Sequence, residues 1–576
     1  MTVSETSPVP STGVARRHDL DALRAVAMLL GIALHVALSF SDVPWVVQDS
    51  QTNKLFGLFF LAVHGFRMPL FFLVSGFFTA MLWRKRGLNA LIRHRAKRIL
   101  LPCLLGLISI VPAMAWVTTY VNRPAGTVAG QSESSTALIT AVRNNNVGAI
   151  SAELGVGANV NDQESASGVT PLAWAALHGH AEAAKILIEN DADLEGANRD
   201  GARPLHAAAF LGRTAVVKLL MESGADVEAT DLKGVKPIDT THADWGTVQF
   251  ISGLLQLPQL DRKDVEKGQR ECRSLLSGQP VEVQHVDESK DLDDASDDDS
   301  NESNGFIIAY TKLMSDDSFR VTDGFHLILT PVFHHLWFLW FLCWLVPFFA
   351  IYASVAARIN FTGLPVWLML SPLRFLWLLP LTMIPQLFMG TVIPSFGPET
   401  SIGLIPQPHL LLYYGIFFAF GALYFDCKDD DGRLGRWWFL SLPLAIFIVL
   451  PVGIETTFVT PDRSGSLIAQ TIYVWAMTFG MIGLFRKFMN SENKTMRYVS
   501  DASYWLYIAH LPLVIWMQGL VRDWPMSPFV KFSLICIVST GLLLVSYQTL
   551  VRYTWLGRLL NGPRTRPKME KRPDPF

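Results

Sequence analysis

Arg24 and His35 lie within one apolar stretch, HDLDALRAVAMLLGIALHVALSF, running from His18 to Phe40. On an α-helix their spacing is about 16 Å along the axis and within about 20° of the same face. A guanidinium can hold an anion, and an imidazole can take or give a proton near neutral pH. Both are expensive in hydrocarbon, and polar groups at such depth usually line a cavity or pathway. Asp21, one turn before Arg24, is placed to pair with it; Gly31 and Ser39 flank His35 by a turn on the same face. The plainer reading is that Arg24 snorkels to the interface and His35 hydrogen-bonds a neighbouring helix.

Other apolar stretches supply further polar groups. HGFRMPLFFLVSGFF carries His64 and Arg67 on one helical face, Pro69 as an interruption, and Ser75-Gly76 further along. Rise per residue puts Arg67 at roughly the depth of His35. FHHLWFLWFL opens with His334 and His335, predicted at an outer mouth, and continues as a stripe of Trp337, Trp340 and Trp344. Such a stripe is usually packing or interface anchoring; Trp337, at its head, is kept as a substrate-binding candidate. SDASYWLYIAHLP places Ser503, Tyr507 and His510 on one face. A bundle with this many internal polar groups encloses a site.

The elements that must position these residues are long helices. The chain has 576 residues, 50% hydrophobic and 17% charged, with mean hydropathy +0.29. Its apolar residues fall in runs near 20–41, 55–82, 99–121, 332–354, 366–392, 409–425, 437–454, 466–485, 501–521 and 528–551. Each is about the length that crosses a hydrocarbon core as a helix. The expectation is an all-α polytopic membrane protein with about ten transmembrane helices. The net charge of −2 says little, because charge is unevenly distributed. The five cysteines lie far apart, with no metal-ligand spacing and no disulfide framework, and no metal site is expected. Arg24 and the acidic residues after Arg16-Arg17 argue against a cleavable signal peptide, so the first run is expected to remain as an anchor.

WRKRGLNALIRHRAKR, the stretch after Arg486, and the tail after residue 553 are rich in Lys and Arg, whereas the intervening loops carry almost none. With ten crossings, the positive-inside rule predicts both termini in the cytoplasm.

Between the third and fourth runs lies a hydrophilic insertion with a 33-residue period. GVTPLAWAALHGHAEAAKILIENDADLEGANRD starts at Gly168, GARPLHAAAFLGRTAVVKLLMESGADVEATDLK at Gly201, and GVKPIDTT at Gly234. This is the ankyrin pattern, an α-solenoid of about four units counting a weaker one that starts near residue 136. With three crossings before it, the insertion is expected on the outer side. Its usual ligand is a protein; a rigid spacer or lid is the alternative. DESKDLDDASDDDSNESN, residues 287–304, is too acidic and apolar-poor to fold, and lacks the glycine and ligand order of a calcium loop. The predicted organisation is therefore a cytoplasmic segment 1–19, transmembrane helices 20–122, ankyrin repeats 136–260, an acidic linker 261–305, transmembrane helices 325–553 and a basic tail 554–576.

Arg24-x10-His35, PLFFLVSGFF, RHRAKRILLP, HLWFL and SYWLYIAHLP together resemble the membrane acyltransferase-3 family, over residues 16–122 and 325–555. Within it, the chain is most similar to the branch that succinylates osmoregulated periplasmic glucans. The ankyrin insertion departs from the family pattern. The resemblance implies acyl transfer, with succinyl as the branch's acyl group, from cytoplasmic acyl-CoA to a hydroxyl of an extracytoplasmic carbohydrate, in a bacterial inner membrane. Acyl-CoA is then a co-substrate, with no permanently bound cofactor and no nucleic-acid partner. Arg95, Arg98 and Arg24 would meet coenzyme A phosphates, since guanidinium groups pair with them bidentately. His35 would be the general base, with Arg24 completing the catalytic pair. Arg67, Ser75, Tyr507, His510 and Trp337 would contact the acceptor or the developing oxyanion. Two other classes fit the same residues: a transporter using the polar path, and a scaffold in which the bundle merely anchors the ankyrin block.

Overall fold

The computed structural model describes residues 17–562, apart from 42, 44, 122–130, 165–167, 233, 244, 256, 258–259, 279–309, 311–312, 315–316, 323–324, 329, 362 and 392–393. Most of the predicted N-terminal segment, the acidic stretch 287–304 and the tail beyond residue 562 lie outside the described residues. Two compact units emerge: residues 1–121, 301–390 and 394–576 form one, and residues 122–300 with 391–393 form the other.

In the first unit, nine helices among the described residues are long and apolar enough to cross a bilayer. They are α1 (His18–Leu38), α2 (Lys54–Arg86), α3 (Leu88–Val121), α4 (His334–Arg358), α6 (Pro408–Asp426), α7 (Trp438–Val459), α8 (Arg463–Phe488), α9 (Lys494–Val521) and α10 (Pro528–Val551). The run at 366–392 is not one long helix. Pro372, Pro380 and Pro385 remove amide donors, and the run divides into Val366–Leu370, a 3₁₀ turn at Pro372–Arg374, and a 12-residue helix α5 (Phe375–Gln386). Arg374 donates to Leu434 O at 3.1 Å and stacks over Phe479, whereas Gln386 donates to Gln470 at 3.2 Å. Phe479 and Gln470 are about 14 Å apart along α8. A short helix with non-helical ends thus stands where a tenth long span was expected, and nine helices of spanning length remain among the described residues. A small antiparallel ribbon, Arg320–Thr322 with Phe325–His326, precedes α4.

Helices α1, α2, α6, α8 and α9 are the more buried, whereas α3, α7 and α10 turn most of their surface outward. The Ser75-Gly76 element shows why it holds a glycine. A Cβ on Gly76 would lie 1.9 Å from Phe418 O, and one on Gly421 would lie 1.9 Å from Leu73 O. The α2 and α6 backbones touch there, as small residues allow between membrane helices.

The second unit is an ankyrin stack. Thr170 caps Pro171–His178 by accepting from Ala173 N at 3.2 Å, and Gly179 ends it in the left-handed region at φ 78°. The same helix pair recurs as Pro204–Phe210 with Thr214–Glu222, and the buried Leu172, Ala176, Leu205, Ala209, Val217 and Leu220 belong to one core. The stack extends beyond the predicted end at residue 260. Arg262–Ser277, assigned to the linker on charge alone, is an amphipathic helix burying Val265, Gly268, Gln269 and Cys272. Gln269 donates to Phe210 O at 2.8 Å, so the helix closes the stack's apolar end.

Candidate active site

Ser503 turns its hydroxyl back to Ser500 O at 2.7 Å, but five other polar residues of α9 meet neighbouring helices and form one stripe. Ser500 Oγ accepts from Arg24 Nη2 of α1 at 2.7 Å. Tyr504 donates to Arg98 O of α3 at 2.7 Å, and Tyr507 donates to His335 O of α4. His510 Nε2 lies 3.4 Å from His35 Nδ1 of α1, and Gln518 donates to His35 O at 3.0 Å. From Ser500 to Gln518 the stripe runs about 27 Å. It links the basic end of the bundle to the opposite end.

His35 stands where the stripe meets α2 and α4. Its Nδ1 lies 2.9 Å from Gly31 O. A carbonyl only accepts, so in the neutral imidazole this contact assigns the proton to Nδ1 and the lone pair to Nε2. Nε2 makes no hydrogen bond among the described residues. His510 is fixed likewise: its Nδ1 lies 2.8 Å from Tyr507 O, which leaves its Nε2 to accept a longer second branch from His35 Nδ1–H. His335 donates from Nε2 to Ile508 O at 3.0 Å, and its buried Nδ1 has no partner. It lies within the bundle, 8% exposed and with its ring 5.6 Å from that of His510, rather than at the predicted mouth. Trp45, from the loop after α1, sets its ring 5.9 Å from that of His35, tilted by 43°, and donates to Gln518 at 3.0 Å.

Arg67 enters from α2. Its Nη1 lies 2.0 Å from where a Cβ on Gly31 would stand, so the glycine makes room for the guanidinium. Arg67 Nε is buried without a partner, and the charge interacts electrostatically with Tyr507 and Tyr414. His64, one turn away, meets Pro398 O at 3.0 Å. A guanidinium packed on Gly31, one turn from His35 on the same helix, is a pairing suited to acid–base chemistry on a bound substrate.

The basic end holds the other candidates. The RHRAKRIL stretch of α3 contains a π-helical turn at Ala96–Leu100, an irregularity often found at functional positions. Arg95 donates to Thr79 of α2 at 2.6 Å, and its buried Nε has no partner. Arg98 Nη2 approaches Gly562. Arg24 pairs with Asp21 at 3.5 Å, as its spacing suggests, and is further tied to Ser500.

The scan against family models matches the acyltransferase domain over residues 17–157 and 300–548, more than half of the chain. The chain belongs to the membrane acyltransferase-3 family. An ankyrin-repeat model also matches this acyltransferase-3 chain over 122–196 and 138–231. Similar curated proteins include glucans biosynthesis protein C of Escherichia coli strain SMS-3-5, 38% identical over 98 residues, and that of strain K12, 37% identical over 98. Each alignment covers 17% of this chain and 25% of the relative. The chain thus spans about a quarter of the length of the curated relatives it matches.

Of the predicted site residues, the fold gathers His35, Arg67, Tyr507 and His510 in one place. Arg24, Arg95 and Arg98 lie toward the basic end; Ser75 stands one turn from Thr79, the partner of Arg95, and its carbonyl accepts from that threonine. Trp337 packs among Phe72, Phe341 and Tyr414. Sequence reasoning missed Ser500, Tyr504 and Gln518, although extending the α9 stripe by helical spacing finds all three. Nothing in the sequence points to Trp45, which arrives from a loop. Among the described residues, no group of three or more His, Cys, Asp or Glu side chains is placed to hold a metal. His335 and His510 each commit a nitrogen to a backbone carbonyl.

Proposed function

We propose that this protein moves an acyl group from acyl-CoA, bound at the basic end of the bundle, to a carbohydrate hydroxyl reaching His35 from the opposite end. His35 Nε2 takes the hydroxyl proton as the oxygen attacks the thioester carbonyl. Arg67 stabilises the tetrahedral oxyanion. The C–S bond then breaks, and the His35 imidazolium returns its proton to the departing thiolate. His510 acts as a positioning residue: its Nε2 faces the Nδ1–H that must stay in place while His35 is charged. The observation that carries this reading is His35 Nδ1 committed to Gly31 O, on the turn of α1 where Gly31 makes room for the Arg67 guanidinium.

Arg95 and Arg98 bind coenzyme A phosphates, and about 16 Å of helix between Arg24 and His35 is comparable to a pantetheine arm. Arg24 acts by tying α1 to Ser500 at the entry for the donor. Succinyl and glucan follow from the branch resemblance and the relatives' name. The basic end faces the cytoplasm of a bacterial inner membrane, and the ankyrin insertion lies outside, where it binds a protein.

Mass spectrometry of envelope glycans tests the function in cells expressing the wild type, His35→Gln, or neither. An acyl mass increment present with the wild type alone, with His35→Gln still inserted, is the expected result. Full modification by His35→Gln overturns the base role. No increment on any glycan overturns acyl transfer and directs attention to solute uptake through the same path.

A further inference from the structure

A second polar cavity, apart from the histidines, opens near the loop between α7 and α8. Its volume is about 130 Å³. One water needs about 10–15 Å³ on such a measure, so the space holds roughly ten water-sized groups, near the heavy-atom content of one hexose unit. Its polar wall is built. Gln470 accepts from Gln386 at 3.2 Å and donates to Ser395 O at 3.0 Å and Ser466 Oγ at 2.9 Å. Ser466 in turn shares a 2.6 Å hydrogen bond with Thr457. Ser395 Oγ is buried with no partner. Met389, Pro461 and Leu467 add apolar surface.

The chemistry of the lining selects a class of ligand. The two charged residues at the edge are both occupied: Asp462 caps the start of α8 by accepting from Ser464 N at 3.1 Å, and Arg463 donates to Leu387 O. What remains is a paired network of amides and hydroxyls with the unpartnered Ser395 hydroxyl, beside a small apolar surface. That combination suits a neutral ligand with many hydroxyls and a C–H face, and suits an anion or a lipid tail poorly. The cavity also shares a wall with the histidine site. Gln470 accepts from Gly397 N at 2.9 Å. Gly397 packs on His64, a Cβ there falling 2.9 Å from its Cδ2, and the next carbonyl, Pro398 O, meets His64 Nε2.

We propose that this cavity is a subsite for a neutral glycosyl unit, neighbouring the one that reacts, so that the protein prefers an oligosaccharide acceptor over a monosaccharide. The proposal rests on acyl transfer to a carbohydrate. A glycan threaded past the Gly397-Pro398 wall would keep one unit at the Ser395 hydroxyl while presenting another toward His64 and His35.

The test compares a linear β-linked glucose hexasaccharide with methyl β-glucoside on purified full-length protein. Ser395→Leu fills the cavity without removing a side-chain hydrogen bond recorded for Ser395; Pro461→Trp blocks the exposed rim and serves if Ser395→Leu does not fold. In the wild type, kcat/KM should favour the hexasaccharide at least tenfold, and either variant should cut that ratio at least tenfold. An unchanged ratio, or equal acylation of both acceptors by the wild type, overturns the subsite while leaving acyl transfer standing. Saturation-transfer NMR of the hexasaccharide provides a readout without turnover. Weakened contact in Ser395→Leu supports the subsite even if no acylation is seen, and undiminished contact overturns it.

Discussion

Lys531 and Asp49 form an ion pair that is 0% and 1% exposed, and replacing Lys531 by Met should reveal what it holds. Lys531 Nζ donates to both Asp49 carboxylate oxygens, at 3.1 and 2.9 Å, and to Arg522 O at 2.9 Å. The methionine keeps the volume but removes all three contacts of the Lys531 ammonium, leaving the buried carboxylate of Asp49 with the Gln51 N–H at 3.0 Å and no counter-charge at position 531. Removing one partner of such a pair costs about 3–5 kcal/mol, mostly the penalty of the stranded charge. The double variant Asp49→Val with Lys531→Met removes the charge as well, and should recover at least half of that loss. The consequence reaches the candidate active site. Asp49 N donates to Ser39 O at 2.9 Å and Ser39 Oγ donates to Val47 O at 2.6 Å, fixing the loop that brings Trp45 against His35. Detergent-driven unfolding in mixed micelles, followed by tryptophan fluorescence, gives the stabilities, and acyl transfer should fall with them. A loss below about 1 kcal/mol in Lys531→Met, the size seen for exposed pairs, would refute the reasoning. So would a double variant as unstable as the single one.

Two further outcomes follow from packing and burial. Gly76→Ala should destabilise the bundle by about 1–3 kcal/mol, because its Cβ meets Phe418 O and the α2 and α6 backbones must separate; Gly57→Ala, with nothing within 4 Å, should not, and thermal melting in micelles compares the two. In the ankyrin unit, burial, with help from His180, Arg143 and Arg213, holds His178 down to about 4. An unfolded histidine titrates near 6.5, so below that pH the unfolded chain binds the extra proton. Stability should be fully present above about 6.5 and be lost as pH falls toward 4. Pulse proteolysis of the full chain, read on fragments from residues 171–222, should show this decline, and His178→Gln should flatten it. An equal decline in that variant assigns the effect elsewhere.

Local regularities made much of this protein legible in its sequence. Ten apolar runs near bilayer length require helices, because a backbone in hydrocarbon must satisfy its own hydrogen bonds. A 33-residue period requires stacked repeats, since one unit cannot bury its own apolar face. Helical spacing placed Arg24 over Asp21 and collected Tyr507 and His510 on one face. Charge misled at Arg262–Ser277, where a polar average hid an apolar stripe against the stack.

Tertiary structure decided how the helices meet, which spacing along one chain segment does not encode. Only packing puts Arg67 on Gly31, brings Trp45 and Gln518 to His35, and ties Arg95 to Thr79. The protonation pattern is likewise a tertiary property. An imidazole can carry its proton on either nitrogen, and the Gly31 and Tyr507 carbonyls choose it for His35 and His510. The sequence alone determined that polar groups enter the membrane; the contacts between helices determined which of their atoms remain free to react.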